Sequence, residues 1–307
     1  HKTPRRQRQM CIRDRSTASH LAVGVPGTVA GLLDVLARYG RLDRKRVMQP
    51  AIDLAAKGFV LDRDLAAQFA RRQDVFAKYP ASVAVFTNKG APYKMGELFV
   101  QTDLANTLRR IQKHGKAGFY EGETADLLVA EMQRGGGLIS HQDLLGYQSS
   151  WREPIRGTYR GHEIVSMPPP SSGGILLVQM LNMLEPYDIA SMGYGSAQSI
   201  HLMIEAERRA YADRAEHLGD ADFYPVPIKE LISKEYATKR FANFDAKRAS
   251  ISADIGAGEI PAESLETTHA SVMDKDGNAV AYTTTLNLSY AVSYTHLTLP
   301  TRCLGVV

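Results

Sequence analysis

Three consecutive prolines, Pro168 to Pro170, followed by Ser171, Ser172, Gly173 and Gly174, divide this chain more firmly than any other stretch. Proline fixes φ and lacks a backbone donor, so neither a helix interior nor a central strand can run through "MPPPSSGG". An element before it must end there, and an element after it starts afresh. Before it, "IRGTYR" and "HEIVSM" are rich in β-branched and aromatic residues and are parted by Gly161, which predicts two short strands. After it, "ILLVQMLNML" predicts an apolar helix.

Helical spacing dominates the rest. Leu32, Leu33, Leu36 and Tyr39 recur at helical intervals after "GVPGT", with Gly40 as the stop. "QPAIDLAAKGF", "LAAQFARRQDVFAKY" and "TDLANTLRRIQKHG" each carry an apolar stripe, the last through Leu104, Leu108 and Ile111. "TADLLVAEMQRGGG" ends on glycines, as a helix should. The longest predicted helix is "SAQSIHLMIEAERRAYADRAEHLG", with an apolar face through Ile200, Met203, Ile204, Tyr211 and Leu218. From about Pro225 to Ala262 the pattern weakens into short helices and loop. Helices first and strands last, without internal repeats, point to an α+β or layered α/β domain.

The two ends read as foreign to that domain. "RRQRQMCIRDR" (Arg5 to Arg15) and "VSYTHLTLPT" (Val292 to Thr301) correspond to translations of one transposase-type sequencing adapter and of its reverse complement. Residues 1–15 and 291–307 are therefore expected to be adapter-derived and are excluded from the fold reasoning. The overall charge of +4 becomes −2 over residues 16–290, with 30 Lys and Arg against 32 Asp and Glu. The basic balance is no sign of a nucleic-acid or anionic-membrane partner. Both cysteines, Cys11 and Cys303, fall in the excluded ends, so residues 16–290 offer neither a disulfide nor a thiolate metal site. No apolar run approaches the ~18 residues expected of a membrane span.

Chemistry concentrates near the end, in "ETTHASVMDKDGNAVAYTTTLN" (Glu266 to Asn287). "THASVMD" alternates by two, "KDGN" carries Asp276 and Gly277 as a favoured hairpin pair, and "AVAYTTTLN" returns. Thr267 then lies near the start of one strand, with Thr285 and Asn287 near the end of the other, as possible neighbours across the pair. By pattern alone, strand preference accounts for so many threonines.

Other candidates have simpler explanations. "DKDGN" is similar to the start of a calcium loop, but the position twelve residues into it is Thr285 rather than Glu, so a turn is expected. His201, Glu205 and His217 lack H-E-x-x-H spacing and are expected at the surface of their helix. "SSGG" lacks the P-loop pattern and reads as a rigid turn rather than an anion site. Arg71/Arg72 and Arg109/Arg110 read as solvated helix faces. No metal and no cofactor is expected.

"ESLETTHASVMDKDGNAVAYTTTLN" resembles the self-cleavage and nucleophile region of the γ-glutamyltransferases (γ-glutamyl transpeptidases), of the N-terminal-nucleophile hydrolase class. "SHLAVGVPGTVAGL", "QPAIDLAAKGF", "FYEGETADLLVAEM", "GGLIS", "YRGHEIVSMPPPSSGGILLVQMLNMLE" and "AYADRAEHLGD" resemble family segments in the same order, so the resemblance covers essentially all of residues 16–290. It implies a layered αββα sandwich, helix-rich and incomplete here. Residues 16–266 would be most of a large subunit and 267–290 the opening of a small one, both made from one precursor.

The resemblance also implies the chemistry. A threonine hydroxyl needs a base, and an N-terminal threonine can use its own α-amine once the chain is cut. The cut is expected between Glu266 and Thr267. Thr267 would then attack γ-glutamyl amides such as glutathione and pass the acyl group to water or to an amino-acid or peptide acceptor. Thr285 matches the threonine that supports the nucleophile, and Asn287 a side chain that contacts the glutamyl group. Thr268 and His269 match the motif without an assigned role, and Ala270 stands where some relatives carry an aromatic. The upstream arginine for the substrate carboxylate, the downstream acidic and serine contacts and the Gly-Gly oxyanion pair fall outside this sequence, so these residues alone are expected to be inactive. A periplasmic or secreted location is implied by the resemblance only. The alternatives are a related N-terminal-threonine acylase, acting on a glutaryl-type β-lactam or poly-γ-glutamate, and a scaffold that does not process itself.

Overall fold

Tyr120 and Gly27 fix where the first helix begins. In the computed structural model, which describes residues 20–255, 267–285 and 302–304, helix α1 (Thr28–Tyr39) buries its first turn, Thr28, Val29 and Ala30. The Tyr120 hydroxyl donates to Pro26 O at 2.6 Å and accepts from Ala30 N at 3.2 Å. A Cβ on Gly27 would sit 2.1 Å from the Tyr147 hydroxyl, so any larger residue there would have to displace the Tyr147 ring. Because the first turn is what docks, Leu32 and Tyr39 of the expected stripe stay exposed, at 41% and 62%.

The chain forms two units, one of His1–Ser150 with Ser264–Ala270 and Tyr282–Cys303, the other of Trp151–Glu263 with Ser271–Ala281 and Leu304–Val307. In the first, helix α2 (Arg44–Lys57) starts on the Asp43 side chain, which accepts from Arg46 N at 2.7 Å. Strand β1 (Phe59–Val60) comes next, and the segment expected as one helix through "LAAQFARRQDVFAKY" is two: α3 (Arg63–Arg71) and α4 (Gln73–Phe76). The break comes at Arg72, whose N–H bonds back three residues to Phe69 O, the tighter pattern that closes helix ends. After α5 (Pro80–Phe86), strand β2 (Leu98–Phe99) pairs antiparallel with β1, Phe59 opposite Phe99. Phe69, Phe76, Phe86 and Phe99 are buried around this point with Tyr93 half-buried beside them, Phe76 stacking on Phe86 at 5.1 Å.

Helix α6 (Thr102–His114) packs on α2, with Arg44 donating to Gln112 O at 2.9 Å and Gln112 to Lys45 O at 2.9 Å. Arg110, expected to be merely solvated, donates to Thr124 and Glu123, both at 2.8 Å. Helices α7 (Ala117–Tyr120) and α8 (Gly122–Gly135) come after it, and α8 stops at Gly136, which takes the left-handed conformation (φ 72°). A reciprocal Ser140–Asp143 box then caps α9 (His141–Leu145).

In the second unit, strands β3 (Ile155–Tyr159) and β4 (His162–Ser166) form the expected hairpin. After the proline turn, α10 (Gly173–Leu184) begins at the two glycines, where a Cβ on Gly174 would lie 2.1 Å from Met167 O. Helices α11 (Ile189–Met192), α12 (Ala197–His217), α13 (Ile228–Leu231) and α14 (Lys234–Phe241) complete the unit. The long helix α12 corrects the sequence reading. Ile200, Met203, Ile204 and Tyr211 are exposed, at 47, 47, 41 and 38%, while Leu202, Glu205, Ala206, Arg209, Ala210 and Asp213 are buried. Small residues decide this. Ala206 and Ala210 let neighbouring helices approach, and Leu202 and Ala206 pack with Met183, Ala237 and Phe241 of α10 and α14.

Candidate active site

Asp274 and Gly277 shape the hairpin at which the chemistry is expected. Strands β5 (Thr267–Met273) and β6 (Ala279–Thr285) pair as neighbours, with β7 (Arg302–Leu304), from the segment read as adapter-derived, on the far side of β6. In the turn the Asp274 carboxylate accepts from Asp276 N and Asn278 N at 2.9 Å each and from Asn278 Nδ2 at 2.8 Å. Gly277 adopts φ +83°, which favours glycine. The Asn278 side chain, and then the Asn278 backbone, hold the Asp274 carboxyl below its usual range. These oxygens satisfy the chain's own turn, and among the described residues no group of three or more acidic, His or Cys side chains could hold a metal ion.

Thr267 opens β5 and Thr285 closes β6, with seven residues in each strand, so the backbone carries both to the same end of the hairpin. Thr268 and His269 come next within β5. Glu266 and Asn287 lie outside the described residues.

Upstream in sequence, the structure shows a polar cluster that the sequence reading missed. Glu205 is buried rather than at the helix surface. Its carboxylate accepts from Arg209 Nη1 at 2.7 Å and from Ser250 N at 3.0 Å, and the Ser250 hydroxyl donates to it at 2.5 Å. Arg209, fully buried, also donates to Asn243 Oδ1 at 2.8 Å and lies over the Phe241 ring at 5.1 Å. Arg208 reaches Ser250 O and the Ser252 hydroxyl, both at 2.8 Å. Burial alone would raise the Glu205 carboxyl; the Ser250 hydroxyl, Arg209 and the Ser250 N–H outweigh it and hold it at about 2.

Two turns further along α12, Asp213 accepts from Gln179 and, at 2.8 Å, from Arg240 Nε. Burial first, then the charge of Asp213, pushes the Tyr236 hydroxyl up to about 12. Arg214 donates to the Ser172 hydroxyl at 3.0 Å, tying the proline turn to α12. One sequence signal for this stripe was available: Glu205 and Arg209 are spaced i, i+4 and alternate with Ala206 and Ala210.

A family model described as gamma-glutamyltranspeptidase matches residues 4–296. The glutathione hydrolase proenzyme of Pseudomonas sp. (strain A14) is 47% identical over 277 residues, 90% of this chain and 48% of that protein. The acylase ACY 1 proenzyme of Pseudomonas sp. (strain SE83) is 42% identical over 282 residues, 91% of this chain and 50% of that protein. The crystal structure of Helicobacter pylori gamma-glutamyltranspeptidase matches with a TM-score of 0.78 and 43% identity, covering 80% of this chain and 70% of that one. The helix-rich α/β fold is that of an N-terminal-nucleophile hydrolase. More narrowly, the chain belongs to the gamma-glutamyltranspeptidase family. It spans about half the length of the curated relatives it matches.

Proposed function

We propose that these residues belong to the precursor of a γ-glutamyltransferase acting as a glutathione hydrolase, cut by its own Thr267. The observation that carries this is the 47% identity to a glutathione hydrolase proenzyme over nine-tenths of the chain. In the first reaction the Thr267 hydroxyl oxygen attacks the Glu266 carbonyl carbon. The Glu266–Thr267 C–N bond breaks, the hydroxyl proton passes to the departing nitrogen, and an ester is left. Water hydrolyses that ester, giving a Glu266 carboxylate and a threonine with a free α-amine.

In the second reaction the amine takes the Thr267 hydroxyl proton as the oxygen attacks the γ-carbonyl of a γ-glutamyl amide such as glutathione. The amide nitrogen leaves protonated, and water or an amino-acid or peptide acceptor releases the acyl group. Thr285 supports the nucleophile by a hydrogen bond, and Asn287 contacts the glutamyl group. Large and small subunits arise from the one cut, and a periplasmic or secreted location goes with the reading.

The acylase relative, at 42% identity, supports a second reading in which the same nucleophile takes a glutaryl-type amide. Intact mass of the complete precursor, beside a Thr267→Ala control, tests both at the step they share. Two fragments parting before Thr267 in the wild type and one chain in the control are expected; single chains in both would leave the non-processing scaffold. Hydrolysis of a γ-glutamyl anilide against a glutaryl anilide then separates the two substrates.

A further inference from the structure

The chain turns from α1 into α2 through one corner of the first unit, and that corner concentrates charge of a single sign. Five of the nine residues from Arg38 to Arg46 are Lys or Arg, against the one acid Asp43, although residues 16–290 as a whole carry −2. Asp43 is already occupied, since its carboxylate accepts from Arg46 N at 2.7 Å and caps α2. Arg44 is turned onto the end of α6, donating to Gln112 O at 2.9 Å and to Lys113 O at 3.3 Å, which sets the exposed Lys113 beside the corner. Among the described residues no carboxylate pairs with Arg41, Lys45, Arg46 or Lys113, whereas the neighbouring Lys116 is paired with Asp34 at 2.7 Å.

Apolar side chains stand out between these cations. Leu42 is 49% exposed and Val47 46%, and Tyr39, also exposed, lies under the Arg38 guanidinium at 5.3 Å. An ordinary solvated helix face looks different: on α14, Lys239 meets Glu235 one turn away at 2.6 Å, so that both signs are present and paired. Unpaired cations on long stems, with apolar neighbours between them, suit an interface where headgroup phosphates meet the charges and acyl chains begin just beneath. A soluble polyanion would satisfy the cations and leave Leu42 and Val47 with nothing to bury them. We propose that the α1–α2 corner, through Arg41, Lys45, Arg46 and Lys113 with Leu42 and Val47 among them, docks on an anionic phospholipid surface. This contact is independent of the chemistry at Thr267. Each Lys or Arg held at such a surface strengthens binding roughly fivefold, and the attraction fades within a Debye length.

The test is co-sedimentation of the complete protein with vesicles of phosphatidylcholine and phosphatidylglycerol in equal parts, against phosphatidylcholine alone. Binding to the mixed vesicles only is expected, weakening as salt rises from about 0.1 M to 1 M and the Debye length falls from ~10 Å to ~3 Å. Arg41→Gln/Lys45→Gln/Arg46→Gln should weaken binding on the order of 100-fold. Leu42→Gln/Val47→Gln, which leaves every charge in place, should weaken it about tenfold. Both variants should keep the wild-type melting temperature, because the changed side chains are exposed. No binding by the wild type, equal binding to the two kinds of vesicle, or unchanged binding by the triple variant would overturn the proposal. Wild-type binding by Leu42→Gln/Val47→Gln would overturn it as well, in favour of a purely electrostatic contact with a soluble polyanion.

Discussion

The aromatic cluster at Phe69 and the buried stripe of α12 are both interior, and they are built on opposite principles. Around Phe69 the interior is rings meeting rings, Phe69 to Phe99 at 5.2 Å and Phe69 to Phe86 at 5.5 Å, with a two-residue strand pair at its edge. Along α12 the interior is alanines and ions, with Glu205, Arg209 and Asp213 buried among Ala206, Ala210 and Ala212. Rings tolerate one another in many arrangements, because dispersion and area burial have little direction. A buried ion pair is satisfied in one geometry, so the stripe fixes which segment lies across it.

That contrast gives the largest predicted effects. Arg209→Met should cost about 3–5 kcal/mol, since it leaves the Glu205 carboxylate buried without its cation. Phe69→Ala should cost a similar ~3–5 kcal/mol by opening a cavity. The double variant Glu205→Met/Arg209→Met separates the two principles. If the stripe is held by charge, removing both ions recovers most of the Arg209→Met loss. If the double variant is instead as unstable as the sum of its parts, the stripe behaves as a packed core and the comparison breaks. Denaturant midpoints of five proteins, the Glu205→Met single variant and wild type included, decide it.

Acid should act on one region and spare the other. The Glu205 carboxyl ionises at about 2 in the folded chain against 4.5 when free. Its folded value is depressed, so its contribution to stability is fully present above about 4.5 and is lost as pH falls from there toward 2. The charged groups facing it are Arg208 and Arg209. The stability gap between wild type and Glu205→Gln should therefore shrink between pH 5 and pH 3, while the gap between wild type and Phe69→Ala stays constant. Melting curves at the two pH values check this, and a Glu205→Gln gap that does not move with pH would remove the ionised carboxylate from the account of the stripe.

The same divide decides how much of the molecule was legible in sequence. The β3–β4 strands, the α10 start after Pro170 and the Asp276-Gly277 hairpin turn could be read in advance, because proline, glycine and period-2 alternation act locally. The positions of Thr267 and Thr285 at matching ends of β5 and β6 come from that same turn. The break at Arg72 and the β1–β2 pair could not be read, since both answer to the aromatic cluster rather than to their own neighbours. The buried side of α12 was misread for a physical reason. Ile200, Met203, Ile204 and Tyr211 are the more apolar set, yet alanines permit closer helix approach, and the ions opposite find partners in Ser250, Asn243 and Arg240 that lie 27 to 45 residues away in sequence. Hydrophobic periodicity carries no term for those partners.

The smallest expected effect tests that misreading directly. Met203 and Ile204 are exposed at 47% and 41%, so replacing them removes little buried area and creates no cavity. Met203→Gln and Ile204→Gln should each change stability by no more than about 0.5 kcal/mol, as surface substitutions do. Glutamine keeps the helix propensity of methionine and exceeds that of isoleucine, so a loss could not be charged to the backbone. A cost of about 2 kcal/mol would instead mean that this face is covered in the folded protein, and the outer side of α12 would join the aromatic cluster as a surface held by area. Measured beside Arg209→Met on the same helix, the pair of values states which side of α12 stabilises the chain and by which kind of force.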